Sequence, residues 1–163
     1  MKNFEKIFSI LCLSIPVAAC AASAVKPNYD VQVSKYEAQK ASIGAADKFT
    51  GQVLVDSNFK SDLEDGYSGA MVNFEAGARA AWHSHPRGQT LIVIEGEGRV
   101  QAKGKQAQVI KPGDVVWIPP NQVHWHGAAA EHSMSHIAIV EAEGGRATDW
   151  MQHVTDNEYA KAQ

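Results

Sequence analysis

Cysteine is nearly absent: the 163 residues hold two, Cys12 and Cys20, both close to the N-terminus. Cys12 lies inside an apolar leader and Cys20 at its end, so no pair is left to bridge the rest of the chain. The fold has to stand on packing and hydrogen bonds rather than on disulfides. Long hydrophobic runs are missing as well; the stretch from Ile7 to Ala19 is too short to cross a bilayer and remain there. Excess positive charge is absent, since 15 Lys and Arg against 18 Asp and Glu give −3, and removing Lys2, Glu5 and Lys6, a net +1, leaves −4. A mildly acidic domain of this kind lacks the basic patch that nucleic acid or an anionic membrane surface would require. Internal repeats and low-complexity tracts are also missing, and no helical pattern is long enough to serve as a crossover between parallel strands.

What is present begins with a leader. Lys2 and Lys6 precede the apolar run and small residues follow it, which is the layout of a secretory signal. Two processing patterns overlap: Ala22-Ser23-Ala24 fits the small-x-small rule and gives a signal over 1–24, while Val17-Ala18-Ala19-Cys20 fits a lipobox and gives a signal over 1–19 with Cys20 lipidated. Both predict an exported, periplasmic protein with no transmembrane span in the mature chain, lipid-anchored through Cys20 in the second case. Residues 25–47 are polar and small, with a weak helical pattern from Val33 to Ala46, and read as a tether followed by an arm or short helix. Residues 48–163 form the domain, enough for one core and not for two.

Within that domain short β-rich runs recur: Gly51 to Val55, Gly69 to Phe74, Ala78 to His83, Thr90 to Glu95, Arg99 to Ala102, Ala107 to Ile110, Asp114 to Ile118, His124 to Gly127 and Ser133 to Ala142. Turn residues separate them, among them Asp65-Gly66, Pro86-Arg87-Gly88, Gly96-Glu97-Gly98 and Pro112-Gly113-Asp114. This even spacing predicts an all-β, antiparallel sandwich or barrel. Gly77, Gly96 and Gly113 fit its backbone corners. The segment from Thr148 to Tyr159 reads as a docked extension with a short helix capped by Thr155 or Asp156.

Seven histidines stand against the two cysteines, and four of them form two His-x-His pairs. Residues two apart on a strand share a face, so His83 and His85 can present two imidazoles to one ion. Gln89, just past the Pro86-Arg87-Gly88 turn, can join them, and His124 from a distant segment can close the set. A lone His-x-His pair is more often surface chemistry or a packed core histidine. Two pairs, each beside β-favouring residues and introduced by turn chemistry, point instead to a divalent-metal site. Alternation along Ser133 to Val140 puts Met134, His136, Ala138 and Val140 on one face. His132, in a polar loop, and His153, in the tail, read as surface or packing residues. Trp82, Trp117 and Trp125 are expected to pack between sheets, with a platform for a substrate ring as the alternative.

These residues resemble the cupin superfamily of small jelly-roll barrels. Gly77-x5-His83-x-His85-x3-Gln89-x6-Gly96 is similar to its first motif, and Gly104 to His124, through Pro112-x-Asp114, to its second. The similarity runs from Phe49 to about Val140. It is strongest to single-domain bacterial cupins that include manganese-dependent hydroxynitrile lyases, through Phe49-Thr-Gly, Gly88-Gln89-Thr-Leu-Ile-Val93, Pro112-Gly-Asp-Val-Val-Trp117, His124-Trp-His-Gly-Ala128 and Asp149-Trp-Met-x-His153. The resemblance implies a single-domain cupin jelly-roll with a short N-terminal arm and a short C-terminal helix. It further implies one divalent metal ion, manganese first, with iron, nickel or zinc as alternatives, held by His83, His85, Gln89 and His124. His136 is then the acid–base residue, or else orients a ligand or a water, and His126, on the same face as His124, either joins in proton transfer or supports a ligand. The partner implied is a small-molecule substrate, and edge strands of a small jelly roll often pair across a two-fold axis, so a homodimer or homotetramer is expected. Cyanohydrin cleavage or related lyase chemistry is the implied reaction, with a cupin oxygenase or a non-catalytic exported metal- or small-ligand-binding module as the alternatives.

Two details of this chain modify that expectation. Gln89 stands where many cupins have glutamate; a neutral amide cancels no charge, so a bound ion keeps nearly its full charge and is a stronger Lewis acid. The compared lyases place a glutamine four residues after His136, whereas this chain has Val140, which cannot donate to a substrate. Ala70 and Val72 match small apolar positions of the lyases and imply room for a modest, partly aromatic substrate.

Overall fold

Residues 30–162, apart from Gln32 and Glu64, are described in the structure, a computed structural model; the leader and Cys20 lie outside them. The strands are β1 (Ser42–Ile43), β2 (Phe49–Thr50), β3 (Val53–Lys60), β4 (Tyr67–Phe74), β5 (Arg79–Ala80), β6 (His83–Ser84), β7 (Gln89–Gly96), β8 (Gly98–Ala102), β9 (Gln108–Ile110), β10 (Val115–Ile118), β11 (His124–Ala128), β12 (Met134–Glu141) and β13 (Asp149–Trp150), followed by the helix α1 (Asp156–Ala160). They form two sheets, ordered β1-β3-β4-β12-β7-β10 and β13-β6-β11-β5-β2, with β8 paired to β11 and β9 to β8. Every pairing is antiparallel. Inward residues of the two sheets, Val53, Val72, Phe74, Val93, Val100, Ile110 and Met134, make the core. This is the expected all-β jelly roll, and period-two alternation accounts for it.

The boundaries differ from the sequence reading where the backbone bonds leave the ladder. Ala78 to His83 was expected as one strand. It is broken because Ala81 N–H donates to the Lys48 carbonyl and Trp82 N–H to the Gln152 carbonyl, which leaves β6 free to pair with β13 as well as β11. Gly51, with φ 80, ends β2 before β3 begins. The weak helical pattern from Val33 to Ala46 yields only a 3-10 turn at Tyr36–Ala38 with no buried residue, and the arm then adds β1 to the edge of β3; a helix there would have no apolar face to bury. At Gly96, with φ 77, a Cβ would lie 1.9 Å from the Ser133 carbonyl oxygen, so the tight turn into β8 admits only glycine.

A second apolar cluster lies outside the barrel, where Trp82 and Trp125 pack with Val154, Tyr159 and Ala162 of the tail. These two tryptophans are buried, but against the C-terminal helix rather than between the sheets. Trp117 departs further from the expectation: it is 60% exposed on the edge strand β10. Thr155 caps α1, accepting from Glu158 N–H while the Glu158 carboxylate accepts from Thr155 N–H, a capping box that fixes where the helix starts. Arg79, buried in β5, donates to the Val154 carbonyl and pairs with Asp156, and so ties the helix to the barrel.

Candidate metal centre

Strands β6, β7 and β11 bring the expected ligands to one end of the barrel. His83 and His124 are register partners, and their ring centroids lie 4.2 Å apart. His85, just past β6, has its ring 5.1 Å from that of His83 and 5.5 Å from that of His124. The donor atoms of the three buried histidines lie within 4.8 Å of one another. Gln89 opens β7 after the turn at Gly88, and its Oε1 is 3.0 Å from His124 Nε2.

Hydrogen bonding to the main chain decides where the protons are. His83 Nδ1 faces the Ala81 carbonyl at 2.8 Å, His85 Nδ1 the Ala147 carbonyl at 2.8 Å, and His124 Nδ1 the Gln122 carbonyl at 2.9 Å. A carbonyl only accepts, so each Nδ1 carries the proton and each Nε2 a lone pair. A second proton is disfavoured. Burial pushes His83 far below the ordinary imidazole range, with repulsion from His124 adding to it; burial also lowers His85 and takes His124 down to about 4. His85 Nε2 is buried without a hydrogen-bond partner, and the lone pair of His124 Nε2 meets the acceptor oxygen of Gln89. Lone pairs that converge in this way are what a bound cation would satisfy. Imidazole nitrogens with one amide oxygen suit a divalent transition ion, so the residues fit the metal that the fold implies.

A second histidine pair lies beside this cluster. His136 Nε2 on β12 and His126 Nδ1 on β11 are 3.1 Å apart and share one proton. Burial lowers His136 to about 4; burial and then repulsion from His136 hold His126 well below its ordinary value. Both rings are therefore neutral near pH 7. Among the described residues His126 Nε2 and His136 Nδ1 have no hydrogen-bond partner. His126 borders the cavity next to the ligands, His136 stands behind it, and the Phe74 ring packs on both, 5.9 Å from His126 and 5.6 Å from His136.

That cavity has a volume of about 600 Å³ and is lined by His83, His85, Gln89 and His126 together with Phe49, Val55, Ala70, Val72, Ala138 and Val140. Ala70 and Val72 face it, as alternation along β4 requires. Trp150 is a wall residue that the sequence reading did not single out. It is the register partner of His83, with its ring 4.7 Å from the imidazole at 31°, and it also packs on Phe49 at 5.7 Å. The only sequence signal was the Asp149-Trp150-Met151 similarity, because periodicity cannot reveal that a tail residue will add a strand beside β6. His132 is exposed and away from the cluster, and exposed His153 contacts Thr50 Oγ1 at 3.1 Å.

The Cupin_2 family, a cupin domain, matches residues 70–140. An (R)-mandelonitrile lyase from Granulicella tundricola is 47% identical over 131 residues, covering 80% of this chain and all of that protein. A cupin-like protein from Thermotoga maritima is 46% identical, with a TM-score of 0.69 over 74% of this chain and 92% of that one. A polyketide cyclase from Streptomyces resistomycificus shares the fold alone, at 11% identity and a TM-score of 0.58 over 80% of this chain and 91% of that one. Two antiparallel sheets, a three-histidine cluster at the barrel end and this degree of identity leave one family: the chain belongs to the cupins.

Proposed function

We propose that this cupin is a metal-dependent lyase that cleaves small cyanohydrins, with His83, His85, Gln89 and His124 holding one divalent ion, manganese in preference to iron, nickel or zinc. The carrying observation is that an unpartnered imidazole nitrogen, His126 Nε2, borders the same cavity as the converging neutral donors. Identity of 47% to a mandelonitrile lyase supports the choice of reaction. When bound, the ion supplies Lewis acidity for the negative charge that develops on oxygen or cyanide.

The side chains supply the rest. In the tautomer whose His126 Nδ1–H donates to His136 Nε2, His126 Nε2 is a base directed at the substrate. It takes the hydroxyl proton while the bond to the nitrile carbon breaks. The O–H electron pair becomes the second bond of the carbonyl, and the carbon–carbon pair leaves with cyanide. Passing the Nδ1 proton to His136 spreads the positive charge over two rings. Return of a proton from His126 to cyanide gives hydrogen cyanide and restores the neutral pair. The apolar wall keeps bulk water from competing for that proton.

Metal analysis of the purified domain beside His83→Ala, followed by a mandelonitrile assay, tests the proposal. Near-stoichiometric metal that is lost in the variant, with cyanide release by the loaded wild type, is expected. Metal-retaining His126→Ala and His136→Ala variants should both lose most cleavage, and full activity in either would remove that residue from the proton path. Metal without cyanide release, but with oxygen consumption on iron loading, would replace the lyase by an oxygenase. We also propose export to the periplasm, on the leader residues, to be checked by cell fractionation.

A further inference from the structure

Strand β3 contains a bulge whose effect is to turn a lysine into the cavity. Val53 and Val55 pair with Phe74 and Val72 on the inward face, and an unbroken ladder would set Phe59 level with Ser68 on that face. Instead Asp56 pairs with Met71 and Phe59 with Gly69, so Ser57 and Asn58 together oppose the single residue Ala70. Ser57 adopts the left-handed φ of 48, a conformation unfavourable for a side-chain-bearing residue and therefore held by its surroundings. The inserted residue flips the alternation: Lys60 becomes the partner of Ser68 and joins the cavity lining.

Charge and distance agree with a role for it. The described lining contains no aspartate or glutamate, and Lys60 is its one lysine or arginine. Among the described residues Lys60 has no ion-pair partner. From Lys60 a cross-strand row runs through Ser68 and Val140 to Gln89, so the lysine and the ligand cluster are ends of one line along the wall. Three strand spacings of about 4.8 Å separate their Cα atoms by about 14 Å. A lysine side chain of about 6 Å leaves roughly 8 Å to span. That is the length of a benzene ring with a polar group at each para position, and Val140, Ala138 and Ala70 give it an apolar bed.

We propose that the substrate is an organic monoanion: a ring-sized apolar body whose reacting oxygen meets the ligand cluster while a carboxylate at its far end pairs with Lys60 at the mouth. This rests on the cavity being the substrate site of the metal centre, and not on which bond is broken there.

Calorimetric titration of manganese-loaded protein with benzaldehyde, 4-formylbenzoate and 2-formylbenzoate tests it without turnover. In the wild type, 4-formylbenzoate should bind about fivefold more tightly than benzaldehyde, the scale of one partly solvated ion pair. Lys60→Met should remove that fivefold ratio, Lys60→Arg should keep it, and the ratio for the 2-isomer, whose carboxylate cannot reach the mouth, should not respond. No preference in the wild type, or a preference that survives Lys60→Met, would overturn the assignment. With the ratio intact, failure to release cyanide from both mandelonitrile and 4-carboxymandelonitrile would overturn the lyase reading and leave this one standing.

Discussion

Acidification should destabilise the metal-free protein, in part through His136. In the unfolded chain this imidazole titrates near 6.5; in the folded protein burial lowers it to about 4, with the ring wholly inaccessible. Above pH 6.5 both states are neutral and the full stability is present. As the pH falls from 6.5 to about 4, the unfolded state takes a proton that the folded state refuses, so each pH unit removes about 1.4 kcal/mol and the window as a whole roughly 3 kcal/mol. Against a typical domain stability of about 5–15 kcal/mol this is a large share. Burial holds His126 down as well, and in the metal-free protein His83, His85 and His124 too, so the loss has the same sign at all five rings and His136 accounts for only part of it. Urea denaturation of chelator-treated protein at pH 7, 6, 5 and 4.5 reads the effect as a falling midpoint at constant slope. His136→Asn, which does not titrate, should be less stable at pH 7 and show a flatter dependence on pH. A wild-type midpoint that stays level from pH 7 to 4.5 would refute a buried neutral His136.

Three further outcomes are expected. Val140→Gln, on the wall beside Gln89, should raise mandelonitrile cleavage several-fold by supplying a donor to the departing cyanide; a slower enzyme in steady-state assays would argue that the wall must stay apolar. Thr155→Ala should cost about 1 kcal/mol of stability by thermal or urea melting, because it removes the cap oxygen that accepts from Glu158 N–H. We propose a homodimer or homotetramer closed through the β10 edge, where Val115 and Trp117 are 66% and 60% exposed; light scattering should find the assembly, and Trp117→Lys should give monomers.

Much of the site was legible because local rules govern it. Spacing on strands brings His83, His85 and His124 together, and alternation along β4 puts Ala70 and Val72 on the cavity wall. What sequence could not reveal depends on the backbone leaving its regular course. Ala81 and Trp82 bond to Lys48 and Gln152, so one expected strand becomes two. The bulge at Ser57 and Asn58 inverts the facing of Lys60, which simple alternation from Val53 would have pointed outward. Trp117, on a strand neighbouring those of the ligands, is expected to pack between the sheets, but its strand is an edge and its side chain lies on the outer face. The order of His126 and His136 relative to the cavity is a matter of depth, and period-two reasoning fixes a face without fixing how far along it a residue lies.

The contact of the tail with the ligand cluster bears on how the protein is made. Every side chain expected to hold the ion belongs to β6, β7 or β11 or to the turns beside them. Yet the carbonyl that orients His85 comes from Ala147, and the ring laid against His83 is Trp150. Both follow β12, the last long barrel strand, and α1 then anchors the segment through Arg79. A nascent chain that has produced only the strands up to Glu141 therefore owns all four ligands and still lacks two of their supports. The proposed ligands thus come from the barrel and two of their supports from the tail, so a cut after Glu141 would keep all four side chains and remove the Ala147 carbonyl and the Trp150 ring that hold two of them in place.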